Sequence, residues 1–219
     1  FLIFFIGLSR VYNGVHFPHD LVTGWTFGGI LLTVYVFLEK PVIIWFKKQG
    51  LVVKIAASFG LSLVLIFLVV LAKLSLAAFT VPDVWMQNAA AFFPEEAFDP
   101  LKIAGVFSTS GALFGLCLGV ILLPRLGGFH PGGDIWKRLA RVFIGVAGVL
   151  AIYLGLKAIF PEGEYFLAYI LRYARYALIG LWMAGIAPFL FVKTGLADAR
   201  AKAKKPKKKV VKARRSYAG

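Results

Sequence analysis

Long uninterrupted apolar runs dominate this 219-residue sequence and constrain its fold more than any other feature. A helix needs about 20 consecutive apolar residues to cross the hydrocarbon core of a bilayer. Apolar residues are dense all round these runs, as expected for helices that face lipid. The sequence therefore predicts an all-α, multi-pass transmembrane helical bundle, with segments at Phe1–Leu8, Leu21–Leu38, Ile55–Phe79, Ile103–Leu123, Val142–Phe160 and Tyr165–Val192.

The composition agrees with a membrane protein and excludes several other classes. Hydrophobic residues make up 60% of the chain and charged residues only 16%, against about 45–50% and about 25% in soluble domains. An ordinary soluble domain, a disordered chain and a disulfide scaffold are therefore excluded. Cys117 is the only cysteine, so no disulfide can form within the chain.

The loops between the predicted spans alternate in charge. Glu39–Lys54 carries four lysines and one acid, and Pro124–Arg141 is also basic, whereas Thr80–Lys102 and Pro161–Glu164 are acidic. Lysine and arginine are enriched in cytoplasmic loops of membrane proteins. This rule predicts that the basic loops are cytoplasmic and that the segment Ser9–Asp20 lies on the outer face.

That outer segment reads SRVYNGVHFPHD and concentrates polar and ionisable side chains between two apolar spans. Ionisable residues at a membrane boundary are costly to bury and therefore often functional. A polar loop that happens to contain histidines is the alternative. The spacing Ser-Arg, five residues, His, three residues, Asp resembles the third signature motif of the type 2 phosphatidic acid phosphatase superfamily. The matching residues are Ser9, Arg10, His16 and Asp20.

These residue types suit phosphoryl transfer. The planar guanidinium of Arg10 can hold two phosphate oxygens at once, and a neutral imidazole at His16 can attack phosphorus. The Asp20 carboxylate can orient that imidazole, but it also suits the N-cap of a helix that starts at Leu21. Ser9 could donate to phosphate or be a polar helix-end residue. His19 lies outside the motif, and we interpret it as an interfacial loop histidine.

The resemblance implies a mechanism and an incomplete site. Members of the family use three motifs and pass through a phosphohistidine intermediate without a metal or other cofactor. The first motif supplies Lys and Arg to the phosphate, and the second, Pro-Ser-Gly-His, supplies the general acid for the leaving group. Neither motif occurs in this sequence. We therefore expect both to lie upstream of Phe1, and the fragment alone to be inactive.

These observations predict a metal-independent membrane hydrolase that acts on a lipid phosphate or a polyprenyl diphosphate, such as undecaprenyl diphosphate, at the outer face. We expect it in the inner (cell) membrane of a prokaryote, with its tail in the cytoplasm. The alternative is a non-enzymatic transporter or scaffold built on a degenerate phosphatase core. The residues upstream of Phe1 would distinguish the two.

The rest of the chain divides into an extension and a tail. Residues 1–38 would end the six-helix phosphatase core, residues 39–192 would form a four-helix membrane extension, and residues 193–219 a basic cytoplasmic tail. Within the extension, we interpret Lys73, Arg172 and Arg175 as snorkelling cations, with contacts to a lipid headgroup as the alternative. The tail carries eleven Lys/Arg and one Asp, which predicts attraction to anionic lipids rather than binding to nucleic acid.

Overall fold

A computed structural model describes residues 1–14, 16–92, 99, 101–161 and 163–199 of the chain. The chain forms two compact units, Phe1–Gly50 and Leu51–Gly219. The first unit contains α1 (Leu2–Tyr12) and α2 (Pro18–Lys48). The second contains α3 (Leu51–Ser75), α4 (Asp83–Phe92), α5 (Ala104–Leu122), α6 (Ile135–Ile159), α7 (Phe166–Leu181) and α8 (Ala187–Lys193), with a 3₁₀ turn at Leu123–Leu126 and a π turn at Trp182–Ile186.

The predicted all-α, multi-pass architecture is confirmed. Within the described ranges, five helical stretches are long and apolar enough to cross a bilayer, and no strand occurs beyond one isolated bridge pair. Many large apolar side chains on these helices are exposed, whereas few are buried. This distribution fits a protein whose solvent is lipid, because exposed apolar surface carries no penalty there.

The prediction that Glu39–Lys54 is a loop is wrong over most of its length. Helix α2 continues to Lys48, and only Gln49 and Gly50 separate it from α3. Pro41 lies inside α2, where it removes one backbone donor and locally perturbs the helix. Lys47 and Lys48 lie in the last turn, where their charges interact favourably with the helix dipole. Hydropathy marks the apolar part of a helix and misses such polar ends.

The start of α6 differs from the sequence prediction for the same reason. Helix α6 begins at Ile135 rather than Val142, because its first two turns contain basic residues that favour helix but lower hydropathy. The predicted acidic loop Thr80–Lys102 contains the short helix α4. Some loop and tail residues of the sequence prediction lie outside the described residues, namely Pro94, Glu95, Glu96, Pro100, Glu162 and the tail from Arg200.

Helix α5 packs closely on α7 through its small residues. A Cβ atom built on Gly111 would overlap the carbonyl oxygen of Tyr173, and one on Gly115 would overlap that of Ala177. Further along, a Cβ on Gly119 would lie 2.7 Å from the carbonyl carbon of Ala184. The backbones can therefore approach only because these positions have no side chain, a common device in membrane helix pairs.

The loops of the second unit gather at its two ends according to charge. Lys102 Nζ lies 3.7 Å from Glu164 Oε1, which places the predicted acidic loops at one end. At the other end, the His130 N–H donates to the Asp198 carbonyl at 2.9 Å, joining the basic loop to the start of the tail. The alternation of loop charge along the sequence therefore corresponds to two ends of this unit.

Candidate active site

Helices α1 and α2 meet at small and aromatic residues. The ring of Phe4 stacks on that of Trp25 with centroids 5.5 Å apart. A Cβ on Gly7 would lie 2.9 Å from Trp25 and 3.1 Å from Leu21. Because Gly7 has no side chain, the two helices can approach at this point and leave a pocket beside the contact.

The pocket has a volume of about 280 Å³ and contains three of the predicted site residues. Arg10 comes from the end of α1, His16 from the connection, and Asp20 from the first turn of α2. The rest of the lining is apolar or glycine and comprises Ile3, Ile6, Gly7, Leu21, Gly24 and Trp25. A cation, an imidazole and a carboxylate thus share one pocket with an apolar wall.

Asp20 does not occupy the N-cap position that the sequence suggested. Helix α2 begins at Pro18, so Phe17 is the N-cap and Asp20 is the third helical residue. Asp20 Oδ2 accepts a hydrogen bond from the Phe17 N–H at 2.9 Å, and the Asp20 N–H donates to the Phe17 carbonyl at 3.0 Å. Pro18 explains the shift, because proline is favoured at the first position of a helix. The carboxylate is therefore held in place by the backbone.

Two imidazoles contact the Asp20 carboxylate. His16 Nδ1 lies 3.6 Å from Asp20 Oδ2, and His19 Nε2 lies 3.2 Å from Asp20 Oδ1. The first distance is longer than a hydrogen bond, and such contacts at catalytic sites often shorten when substrate binds. His19 also stacks on Phe17, with ring centroids 5.5 Å apart. His19 does not line the pocket, whereas His16 does.

Arg10 and Ser9 differ in what their side chains contact. Within the described part of the chain, Arg10 forms no ion pair, so its guanidinium is available to an anion in the pocket. The Ser9 hydroxyl donates to the Ile6 carbonyl of its own helix at 2.8 Å and does not line the pocket. The structure therefore brings together Arg10, His16 and Asp20 but leaves Ser9 outside. Among the described residues, no three His, Cys, Asp or Glu side chains are grouped to hold a metal.

Comparison with protein families gives two matches, one at the start of the chain and one in its second half. Residues 1–43 match the PAP2 superfamily, and residues 107–200 match the PAP2 superfamily phosphatase transmembrane extension. The chain belongs to the PAP2 superfamily. This confirms the resemblance seen in Ser9, Arg10, His16 and Asp20. No curated protein and no solved structure matches the chain.

As a PAP2 protein with a transmembrane extension, the chain is a membrane phosphatase of the phosphoric ester hydrolase type. The pocket of Arg10, His16 and Asp20 lies entirely within the part that matches the PAP2 superfamily. Most of the second unit, from Phe107 to the beginning of the tail, matches the extension. The pocket and most of the extension therefore fall in different compact units.

Two buried arginines in the extension depart from the sequence analysis. Arg175 does not snorkel: it is 4% exposed, and its guanidinium lies 5.2 Å from the Tyr153 ring and 5.5 Å from the Tyr176 ring. Arg172 and Lys73 are half-buried, and their snorkelling stays a prediction. Arg141 is 8% exposed and was assigned only to a basic loop.

Proposed function

We propose that this PAP2 protein hydrolyses a lipid phosphate or a polyprenyl diphosphate through a phosphohistidine at His16. The observation that carries the proposal is the single pocket in which Arg10, His16 and Asp20 meet. In this scheme Arg10 binds two non-bridging oxygens of the phosphate. Asp20 faces Nδ1 of His16, which leaves Nε2 as the attacking atom.

The reaction is a double displacement at phosphorus. His16 Nε2 forms a bond to phosphorus while the bond from phosphorus to the leaving oxygen breaks. The leaving oxygen takes a proton from the general acid that the second motif of the family would supply. Water then attacks the phosphohistidine and gives a proton back to the deprotonated general acid, while the phosphorus–nitrogen bond breaks and releases phosphate and neutral His16. Asp20 stabilises the imidazolium character that develops on His16 during the attack.

The lining of the pocket favours a lipid substrate. Ile3, Ile6, Leu21 and Trp25 line its apolar wall, next to the polar group of Arg10, His16 and Asp20. A phosphate headgroup can therefore bind at the polar side while an alkyl chain lies along the apolar side. We place this reaction at the outer face of a prokaryotic cell membrane, with undecaprenyl diphosphate as one substrate class. The basic tail would contact anionic lipids on the cytoplasmic side.

Phosphate release from phosphatidic acid and from a polyprenyl diphosphate tests this proposal. The protein is to be assayed in EDTA with the first two motifs of the family present. We expect activity to survive EDTA, because arginine and lysine neutralise the phosphate charge, and His16→Ala to abolish it. Wild-type turnover by His16→Ala, or complete loss in EDTA that Mg²⁺ restores, would contradict the proposal. Inactivity of the wild-type protein towards both substrates would contradict the substrate assignment.

A further inference from the structure

A second pocket, separate from the catalytic residues, lies in the transmembrane extension. It has a volume of about 450 Å³. One wall is a face of α6, and the other comes from the π turn and α8. The lining residues are apolar except for one arginine and comprise Arg141, Val142, Gly145, Val146, Val149, Leu150, Trp182, Met183, Ala187 and Phe191.

Arg141 is buried in this wall without a charge to balance it. Its side chain is 8% exposed, and it takes part in none of the ion pairs found in the described ranges. Nη2 donates to the carbonyls of Pro131 and Gly132, at 2.8 and 3.2 Å. Nη1 is buried and has no hydrogen-bond partner. A buried guanidinium with a free donor is costly, so an anionic acceptor at this position would stabilise it.

The pocket extends along α6 from Arg141 towards the middle of the helix. Its lining residues on this helix run from Arg141 to Leu150 and follow helical spacing. Nine residues at 1.5 Å each give a length of about 13 Å. Since Arg141 Nη2 reaches back to Pro131 and Gly132, before the helix begins, the charged group lies at the end of the span. The apolar part of the pocket then lies deeper in the bilayer.

The opposite wall is held in a fixed shape. Trp182 Nε1 donates to the Gly145 carbonyl at 3.0 Å, and a Cβ on Gly148 would overlap the Trp182 ring. Trp182 and Met183 belong to the π turn, a feature that often occurs at functional sites. The pocket is therefore built around a positioned tryptophan and does not result from loose packing.

The surrounding charge favours an anionic occupant over a zwitterionic one. The connection from α5 to α6, the first two turns of α6 and the start of the tail, residues 123–142 and 193–199, carry five basic and two acidic side chains. Lys137 Nζ donates to the Gly195 carbonyl at 3.1 Å, which places these segments at the same end of the unit. A headgroup with its own cation would be repelled there, whereas one with net negative charge would be attracted.

We infer that this pocket binds one anionic phospholipid of the surrounding bilayer, with its phosphate on Arg141 and one acyl chain along α6. This site is distinct from the proposed catalytic pocket and does not depend on phosphatase activity. It is also distinct from a diffuse attraction of the basic tail, because it requires Arg141 and the apolar lining. An anionic lipid bound here would link α6 to the π turn and α8.

Native mass spectrometry can test the inference on the full chain. The protein is reconstituted in vesicles of equal phosphatidylglycerol and phosphatidylcholine with identical acyl chains, extracted in mild detergent, and weighed with its retained lipids. We expect one phosphatidylglycerol per chain in preference to phosphatidylcholine. Arg141→Gln should weaken this retention about tenfold, in line with the loss of a charged hydrogen bond. Arg138→Gln, one turn away and outside the pocket, should leave it near wild type.

A second pair of variants keeps the test decisive if Arg141→Gln fails to fold. Val146→Phe fills the pocket from α6, whereas Leu154→Phe adds the same ring to the exposed part of α6 outside the pocket. Retention should fall in Val146→Phe and persist in Leu154→Phe. Equal retention of the two lipids by the wild-type chain would overturn the inference. So would wild-type retention in Val146→Phe, or equal losses in Arg141→Gln and Arg138→Gln.

Discussion

His19 Nε2 lies 3.2 Å from Asp20 Oδ1, so the carboxylate in the first turn of α2 has an imidazole near each of its oxygens. The two histidines are nevertheless not equivalent. His16 lines the pocket that contains Arg10, whereas His19 does not and has a side chain that is 78% exposed. Position relative to the pocket therefore separates the proposed nucleophile from its neighbour, although His19 is closer to the carboxylate.

The first prediction concerns His19. We expect His19→Ala to lower kcat by less than about fivefold, because an exposed side-chain contact of this kind contributes little. His16→Ala in the same protein should abolish turnover. Rapid-quench trapping of phosphorylated enzyme, together with kcat for both variants, measures the difference. If His19→Ala were the variant that lost the phosphoenzyme, the assignment of the nucleophile would be wrong.

The second prediction separates the structural and catalytic roles of Asp20. In Asp20→Asn the side-chain oxygen can still accept the Phe17 N–H, so the start of α2 should remain folded. The amide cannot stabilise an imidazolium on His16, so kcat should fall, by as much as about 10⁴-fold on the scale of a comparable triad. Circular dichroism checks the fold and steady-state kinetics the rate. Unchanged kcat with an intact fold would remove Asp20 from the mechanism.

The third prediction concerns recognition of phosphate by Arg10. Arg10→Lys keeps the charge but loses the paired donors that grip two oxygens. We expect kcat/KM to fall about tenfold to a hundredfold, which corresponds to the loss of one charged hydrogen bond of roughly 1.5–3 kcal/mol. Ser9→Ala serves as a comparison, because the Ser9 hydroxyl bonds to its own helix. A larger loss in Ser9→Ala than in Arg10→Lys would reverse the proposed roles.

The fourth prediction tests the contact between α5 and α7. Gly115→Ala places a methyl group against the Ala177 carbonyl, whereas a Cβ on Gly105 of the same helix meets no atom within 4 Å. Over-packing of this kind costs about 1–3 kcal/mol. Thermal unfolding in detergent should therefore show a lower Tm for Gly115→Ala and a nearly unchanged Tm for Gly105→Ala. Equal Tm values for the two variants would mean that the close contact of α5 with α7 at Gly115 does not stabilise the fold.

The fifth prediction is topological and uses the connections before and after α2. In a Cys117→Ala background, a cysteine at Asn13 should react with an impermeant reagent added outside intact cells. A cysteine at Gln49 should react only after permeabilisation, because the adjacent lysines favour the cytoplasm. Labelling of Gln49→Cys in intact cells would contradict this prediction and would mean that the site faces the cytoplasm.

The sequence by itself determined the class of fold and the family. Apolar runs of sufficient length predicted the helices, because hydropathy and length are local properties of a segment. The spacing of Arg10, His16 and Asp20 predicted the PAP2 family, which both family matches confirm.

Tertiary structure alone decided which side chains meet. The ends of α2 at Lys48 and of α6 at Ile135 are different, because they are local polar turns that hydropathy does not detect. The burial of Arg175 between two tyrosines requires α6 and α7 to pack side by side, since Tyr153 comes from the first and Tyr176 from the second. Likewise, the pocket beside Arg141 forms only because the π turn and α8 pack near α6. Such contacts join residues far apart in the chain, so no local pattern encodes them.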